Sequence, residues 1–141
     1  MRSVLPKCDS SHALIDTIEC DLVALTKTWL NTAISDFEIE STFPNFDIFR
    51  CDRSGKRGDG VLIAAHSSLQ CSVINVPSPL ELIFVRCNSS YPPVVTGVCY
   101  PPPDSDHSFI IHLHEALRSL ISSRRQASNL LFGDFNLPAI N

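Results

Sequence analysis

The sequence predicts one domain of the α+β or layered α/β class. Three observations predict it. The apolar residues come in short runs, each bounded by Pro, Gly, Ser or Asn, as buried strands do and a large helical bundle does not. The runs between Phe46 and Tyr100 follow one another at hairpin-like spacing, which argues for a mixed or antiparallel sheet. One long amphipathic stretch then separates them from a last strand. At 141 residues, with 44% hydrophobic and 18% charged residues, the chain suits a single globular domain and excludes a disordered one.

The elements follow in order. Asp9 and Ser10 can cap a short helix reaching to about Ile18, with Ala13, Leu14 and Ile18 as its apolar stripe. Asp21 to Thr26 reads as a buried strand, followed by Trp29 and Leu30. Asn31 to Ser41 is polar and turn-like, with room for one helical turn near Ile34. Phe46 to Arg50 alternates apolar and polar residues, so it predicts a half-exposed strand. Asp52 to Gly60 holds three glycines among its charges and predicts an exposed loop. Strands are expected at Val61–Ala65, Ser72–Val76, Leu80–Cys87 and Val94–Tyr100, the last stopped by Pro101, Pro102 and Pro103 because proline cannot donate to a sheet ladder. Asp104 or Ser105 then caps a helix to about Ser123, whose apolar face comprises Phe109, Leu113 and Leu117 with Ile110, Leu120 and Ile121. Asn129 to Gly133 is the final strand, running into Asp134-Phe135-Asn136.

Composition narrows the chemistry. The net charge is −4, whereas a protein gripping nucleic acid by charge alone is normally basic. Arg50, Arg53, Lys56 and Arg57 form one small basic cluster, Arg124 and Arg125 another, and both read first as solvated surface. None of the six cysteines stands in a C-x-x-C pair, which excludes a zinc ribbon or a thioredoxin-like site and leaves buried free thiols. Met1 to Ser10 has no apolar core of a signal peptide, and no stretch is long and apolar enough to span a membrane. The expectation is an intracellular protein, nuclear or cytoplasmic, not secreted, with no membrane partner. His112 and His114 face different directions on a helix, and Arg118 stands where a zincin would have its second histidine. Gly55, Gly58 and Gly60 lack the spacing of a phosphate loop.

The sharpest local feature is Asp134-Phe135-Asn136, where a buried strand meets a loop. A carboxylate and an amide two apart on an extended chain point to the same side and can face one phosphate, Asp134 shuttling a proton and Asn136 donating a hydrogen bond. The same Gly-Asp-x-Asn is also a good turn sequence. Tyr100, after a strand and before three prolines, reads either as a cleft residue reaching a phosphate or as a half-buried aromatic at a sheet edge.

Four segments taken together resemble one family. Leu25-Thr26-Lys27-Thr28-Trp29-Leu30 is similar to the Leu-Thr-Glu-Thr-Trp-Leu signature of retrotransposon endonucleases. Arg57 to Ala64 is similar to their Arg-Gly-Gly-Gly-Val-x-Ile loop and strand. Gly97 to Pro103 resembles their Tyr-Arg-Pro-Pro strand end, with Pro101 in place of the Arg, and Leu131 to Asn136 carries their Gly-Asp-Phe-Asn. Order and spacing agree across nearly the whole chain. The resemblance is to the endonuclease/exonuclease/phosphatase superfamily, in the apurinic-endonuclease-like branch carried by LINE-type (non-LTR) retrotransposons.

That resemblance implies a two-layer β-sandwich flanked by helices, with the active site at one end of the sheets. It implies Mg²⁺-dependent phosphodiester cleavage of DNA, nicking a target strand to prime reverse transcription, with the metal acting as Lewis acid and no other cofactor. Asp134 would orient or activate the attacking water, Asn136 would bond the scissile phosphate, and Tyr100 would contact that phosphate. Arg57 would touch the DNA backbone, and the Gly58–Gly60 loop would be structural. Lys27 stands at the position of the family's metal-binding Glu, and an ammonium repels the ion that a carboxylate would hold. The resemblance further implies a partial domain over residues 1–141, incomplete at both ends: the first strand with its Asn, and the C-terminal part with its Asp-His motif, would lie outside it. Two expectations follow. The site is catalytically impaired, the alternative being a non-catalytic remnant or interaction module on the same scaffold. The strand at Leu130 to Phe132 lies at an open edge, exposes apolar surface and lowers stability. Target-site preference and oligomeric state are left open by the sequence.

Overall fold

The computed structural model describes residues 19–28, 30, 33–52, 60–101, 105–123 and 126–135. Seven strands and two helices are described: β1 (Leu22–Thr26), α1 (Asp36–Thr42), β2 (Phe46–Cys51), β3 (Val61–His66), β4 (Cys71–Ile74), β5 (Leu82–Cys87), β6 (Val94–Cys99), α2 (His107–Ser123) and β7 (Ser128–Gly133), with a 3₁₀ turn at Ser67–Leu69. The helix expected before Ile18 lies outside the described residues, as do Trp29 and the loop from Arg53 to Asp59.

The strands form two sheets. The first has the order β1-β3-β2, all antiparallel, with Thr26 opposite Val61 and Val61 opposite Cys51. The second has the order β4-β5-β6-β7, antiparallel except for β6 and β7. Parallel neighbours need a crossover rather than a tight turn, and α2 supplies it.

Alternation along the strands sorts side chains into three apolar clusters. Val61, Ile63 and Ala65 of β3 meet Ile83, Val85, Val98 and Tyr100 of the second sheet, so the two sheets pack face to face. The alternate residues of β3, Leu62 and Ala64, turn outward against Ile39 and Phe43 from α1 and its end. Phe84 and Val95 turn outward from the second sheet against Leu120 of α2. The architecture is helix, sheet, sheet, helix, as a layered α/β domain with a two-sheet sandwich requires. The expected alternation of Leu80 to Cys87 is present, but both faces are covered, one by the other sheet and one by α2.

Three details differ from the sequence reading. The polar, turn-like stretch, where one helical turn is expected near Ile34, holds the two-turn helix α1, started by a capping box in which Ser35 Oγ accepts from the Glu38 amide and the Glu38 carboxylate accepts from the Ser35 amide. That Ser-x-x-Glu signal was present in the sequence. Helix α2 starts at His107, with the Asp106 carboxylate accepting from the Ser108 amide as a cap does, where Ser105 is one expected cap and Asp104, the other, lies outside the described residues. Its buried residues are Phe109, Ala116 and Leu120, while Ile110 and Ile121 are exposed.

Strand β7 lies at the edge of the second sheet among the described residues. Leu130 is 50% exposed and Phe132 45%, and only Leu131 turns toward the cluster under α2.

Candidate active site at one end of the sandwich

Register places the ends of β1, β2, β6 and β7 and the starts of β3 and β5 at the same end of the molecule. One chain of backbone and side-chain hydrogen bonds ties the sheets together there. The Thr28 amide donates to the Gly60 carbonyl (3.3 Å), the Gly60 amide donates to Glu81 Oε2 (2.9 Å), and the Tyr100 amide donates to the Glu81 carbonyl (3.2 Å). Gly60 sits at φ +94°, and a Cβ on it would meet Thr28 Oγ1 at 2.8 Å. Both facts demand glycine, which accounts for the last glycine of the Arg57–Gly60 stretch.

Three residues singled out from the sequence meet at this end. Lys27 follows β1 and adopts φ +54°, a left-handed conformation that costs a non-glycine residue about 1–2 kcal/mol. The chain turns sharply there, and the Lys27 side chain runs to the other sheet: its Nζ lies 3.1 Å from Asp134 Oδ2 and 5.2 Å from the centroid of the Tyr100 ring. Tyr100, only 3% exposed, follows β6. Asp134 follows the neighbouring β7, and Gly133 lets it approach: a Cβ there would collide with the carbonyl oxygen of Cys99 on β6 and crowd the Phe135 ring. The glycine of the Gly-Asp-Phe-Asn segment is thus a close-packing residue.

The ion pair is half exposed, with 43% and 44% of the two side chains accessible, so it is wetted by solvent rather than sealed. The Asp134 carboxylate foremost, with the Tyr100 hydroxyl beside it, holds the pKa of Lys27 above its usual value, and the side chain stays an ammonium through the neutral range. One oxygen of Asp134 is therefore engaged by a fixed positive charge.

Beside this group lies a cleft of about 490 Å³, lined by Asp52, Glu81, Tyr100, Ser105 and Asp106 among others. Cys51 and Cys99 stand close by. Burial pushes both thiols up, Cys99 to about 12, with the Glu81 charge adding to the effect. Neither is a thiolate nucleophile at neutral pH. Arg50 is not a free surface cation: its Nε lies 3.1 Å from Asp36 and 3.5 Å from Asp52. Arg57 and Asn136 lie outside the described residues, so of the five residues named from the sequence, Lys27, Tyr100 and Asp134 come together here. Sequence reasoning missed Glu81 and Thr28 as the residues that hold the end of the sandwich. Thr28 lies inside the segment that carried the resemblance, but Glu81 had no local signal, because it reads as an ordinary polar residue at a strand start.

A divalent magnesium ion takes oxygen ligands, chiefly carboxylates. Here an ammonium points at the one carboxylate of the trio, and among the described residues no group of three or more His, Cys, Asp or Glu side chains is placed to hold a metal ion. The described residues do not fit the magnesium that the resemblance implies.

Comparison with solved structures bears on the fold. A 3′ phosphatase, NExo, from Neisseria bound to a product DNA hairpin matches 99% of this chain over 56% of its own, with a TM-score of 0.73 and 15% identity. TDP2 of D. rerio complexed with a single-strand DNA product matches 95% over 55%, at 0.67 and 15%. An AP endonuclease from Archaeoglobus fulgidus matches 96% over 54%, at 0.63 and 16%. The chain has the endonuclease/exonuclease/phosphatase fold. It spans about half the length of these structures. No protein-family model matches the sequence, and no curated protein does. Among the described residues no helix is long and apolar enough to cross a membrane.

Proposed function

We propose that this chain carries the scaffold of a magnesium-dependent DNA endonuclease of the LINE retrotransposon type, a domain that nicks target DNA to prime reverse transcription, and that Lys27 disables hydrolysis in it. The observation that supports this reading is the Lys27 ammonium 3.1 Å from Asp134 at the end of the sandwich. In the active form of such a site, the carboxylate at Asp134 would take a proton from water and the tyrosine hydroxyl at Tyr100 would donate to the phosphate. With Lys27 present, Asp134 Oδ2 is engaged by a cation instead of facing an attacking water, and the positive charge opposes entry of a metal ion. DNA is the partner this reading implies, through its phosphates, with Arg57 and Asn136 as further contacts and residues 1–141 as part of a larger domain.

The test is nicking of supercoiled plasmid with Mg²⁺, run beside a thermal melt with and without the ion. The wild-type chain is expected to nick no faster than Asp134→Ala and to melt at the same temperature with or without Mg²⁺. Lys27→Glu is expected to gain a Mg²⁺-dependent rise in melting temperature. Nicking by the wild-type chain that Asp134→Ala abolishes would overturn the reading. If Lys27→Glu gains nothing from Mg²⁺, the scaffold is a non-catalytic remnant whose site is lost beyond this one residue.

A further inference from the structure

The end of the second sheet remote from Lys27 holds a pair of thiols that the catalytic reading does not use. Cys71 begins β4 and Cys87 ends β5, and the two are direct partners in the antiparallel register. Their sulfurs are 2.9 Å apart, within hydrogen-bonding distance. Directly opposed residues of an antiparallel pair have Cα atoms about 4.5–5.5 Å apart, inside the range of about 4.4–6.8 Å that a disulfide bridges. The register thus brings the pair within bridging range with the strand pairing unchanged. Cys87 is buried and Cys71 only half-buried, so an oxidant has access to one sulfur of the two. Cys20, Cys51 and Cys99 have no such described partner thiol.

We propose that Cys71 and Cys87 are a modification site: a dithiol that a small-molecule disulfide such as glutathione disulfide converts into a cross-strand disulfide. Cys71, as thiolate, attacks one sulfur of the oxidant, forming a mixed disulfide and expelling one glutathione thiolate. Cys87, as thiolate, then attacks the Cys71 sulfur, forming the protein disulfide and expelling the second glutathione. Two protein thiols lose two electrons and two protons, and the oxidant becomes two thiols. Burial foremost, then the hydrogen bond and charge of Cys87 and the charge of Asp47, push the Cys71 thiol up to about 12, so the first step is slow at neutral pH. Cys71 packs at the margin of the cluster between the sheets. The bond would fasten β4, the outer strand at the edge opposite β7, to its neighbour.

The sequence separation of 16 sets the consequence: cross-linking a loop of that size narrows the unfolded ensemble and raises the melting temperature by about 10 °C. The site trio lies at the other end of the strands, so the bond leaves it in place.

The experiment is exhaustive treatment of the purified chain with glutathione disulfide, alkylation of the remaining thiols, and peptide mapping without reduction. A Cys71–Cys87 linked peptide as the dominant cross-link is expected, with the melting temperature raised. Cys71→Ser, at a half-exposed position, should give neither the link nor the rise, and Cys99→Ser should keep the link. Cys71 and Cys87 recovered as separately alkylated or glutathionylated peptides would overturn the proposal, as would links spread evenly over the cysteines or a linked form no more heat-stable than the reduced one.

Discussion

Strands β3 and β7 look alike in sequence and fare differently in the fold. Val61-Leu62-Ile63-Ala64-Ala65 and Asn129-Leu130-Leu131-Phe132-Gly133 are both short apolar runs beside glycines. In β3 all five residues are buried, because β1 and β2 flank it, the second sheet covers one face and α1 with Phe43 the other. In β7 only Leu131 reaches a cluster, while Leu130 and Phe132 stand half exposed at a sheet edge. Apolar composition thus identifies a strand, and its neighbours decide what its burial contributes. β7 nonetheless leads into Asp134 and β3 follows only Gly60, so the well-packed strand anchors the sandwich and the thinly covered one bears a residue of the candidate site.

The comparison can be broken most sharply at Ile63. Ile63→Ala empties a fully buried position and should cost about 3 kcal/mol in a urea melt, while Leu130→Ser should change stability by no more than about 0.5 kcal/mol. Equal losses at the two positions would mean that β7 is covered in solution. Gly60→Ala comes next, at about 2 kcal/mol, since it strains the backbone and meets Thr28. Phe132→Ser should leave the urea midpoint nearly unchanged and lower the binding of an apolar dye, and an unchanged dye signal would locate the exposed patch elsewhere. The smallest effect is expected from the Lys27–Asp134 pair. Because its partner raises the Lys27 pKa above 10.5, the pair's stabilisation is fully present below that value and is lost as pH rises through the folded-state pKa. Lys27→Met should lose that small stabilisation at neutral pH and with it the alkaline dependence, read from melts at neutral and alkaline pH.

The sequence alone determined the fold class, the succession of strands along the chain and the long helix before the last of them. Those features rest on local causes: two-residue alternation, helical spacing, proline stops and caps. It also marked Lys27, Tyr100 and Asp134, through segments whose order resembles a known family. Within the same local range, the Ser35–Glu38 capping box is legible, yet polarity makes the stretch of α1 look turn-like with one helical turn, and helical spacing puts Ile110 and Ile121 on the apolar face although both are exposed.

What tertiary structure alone decided are the meetings between residues far apart in the chain. Lys27 reaches Asp134 across the two sheets, Glu81 joins Gly60 to the strand of Tyr100, and Cys71 faces Cys87. A hydrogen bond or ion pair between distant positions leaves no periodic trace in a sequence, because it depends on register and on which strands become neighbours, and those are set by the packing of the whole sandwich.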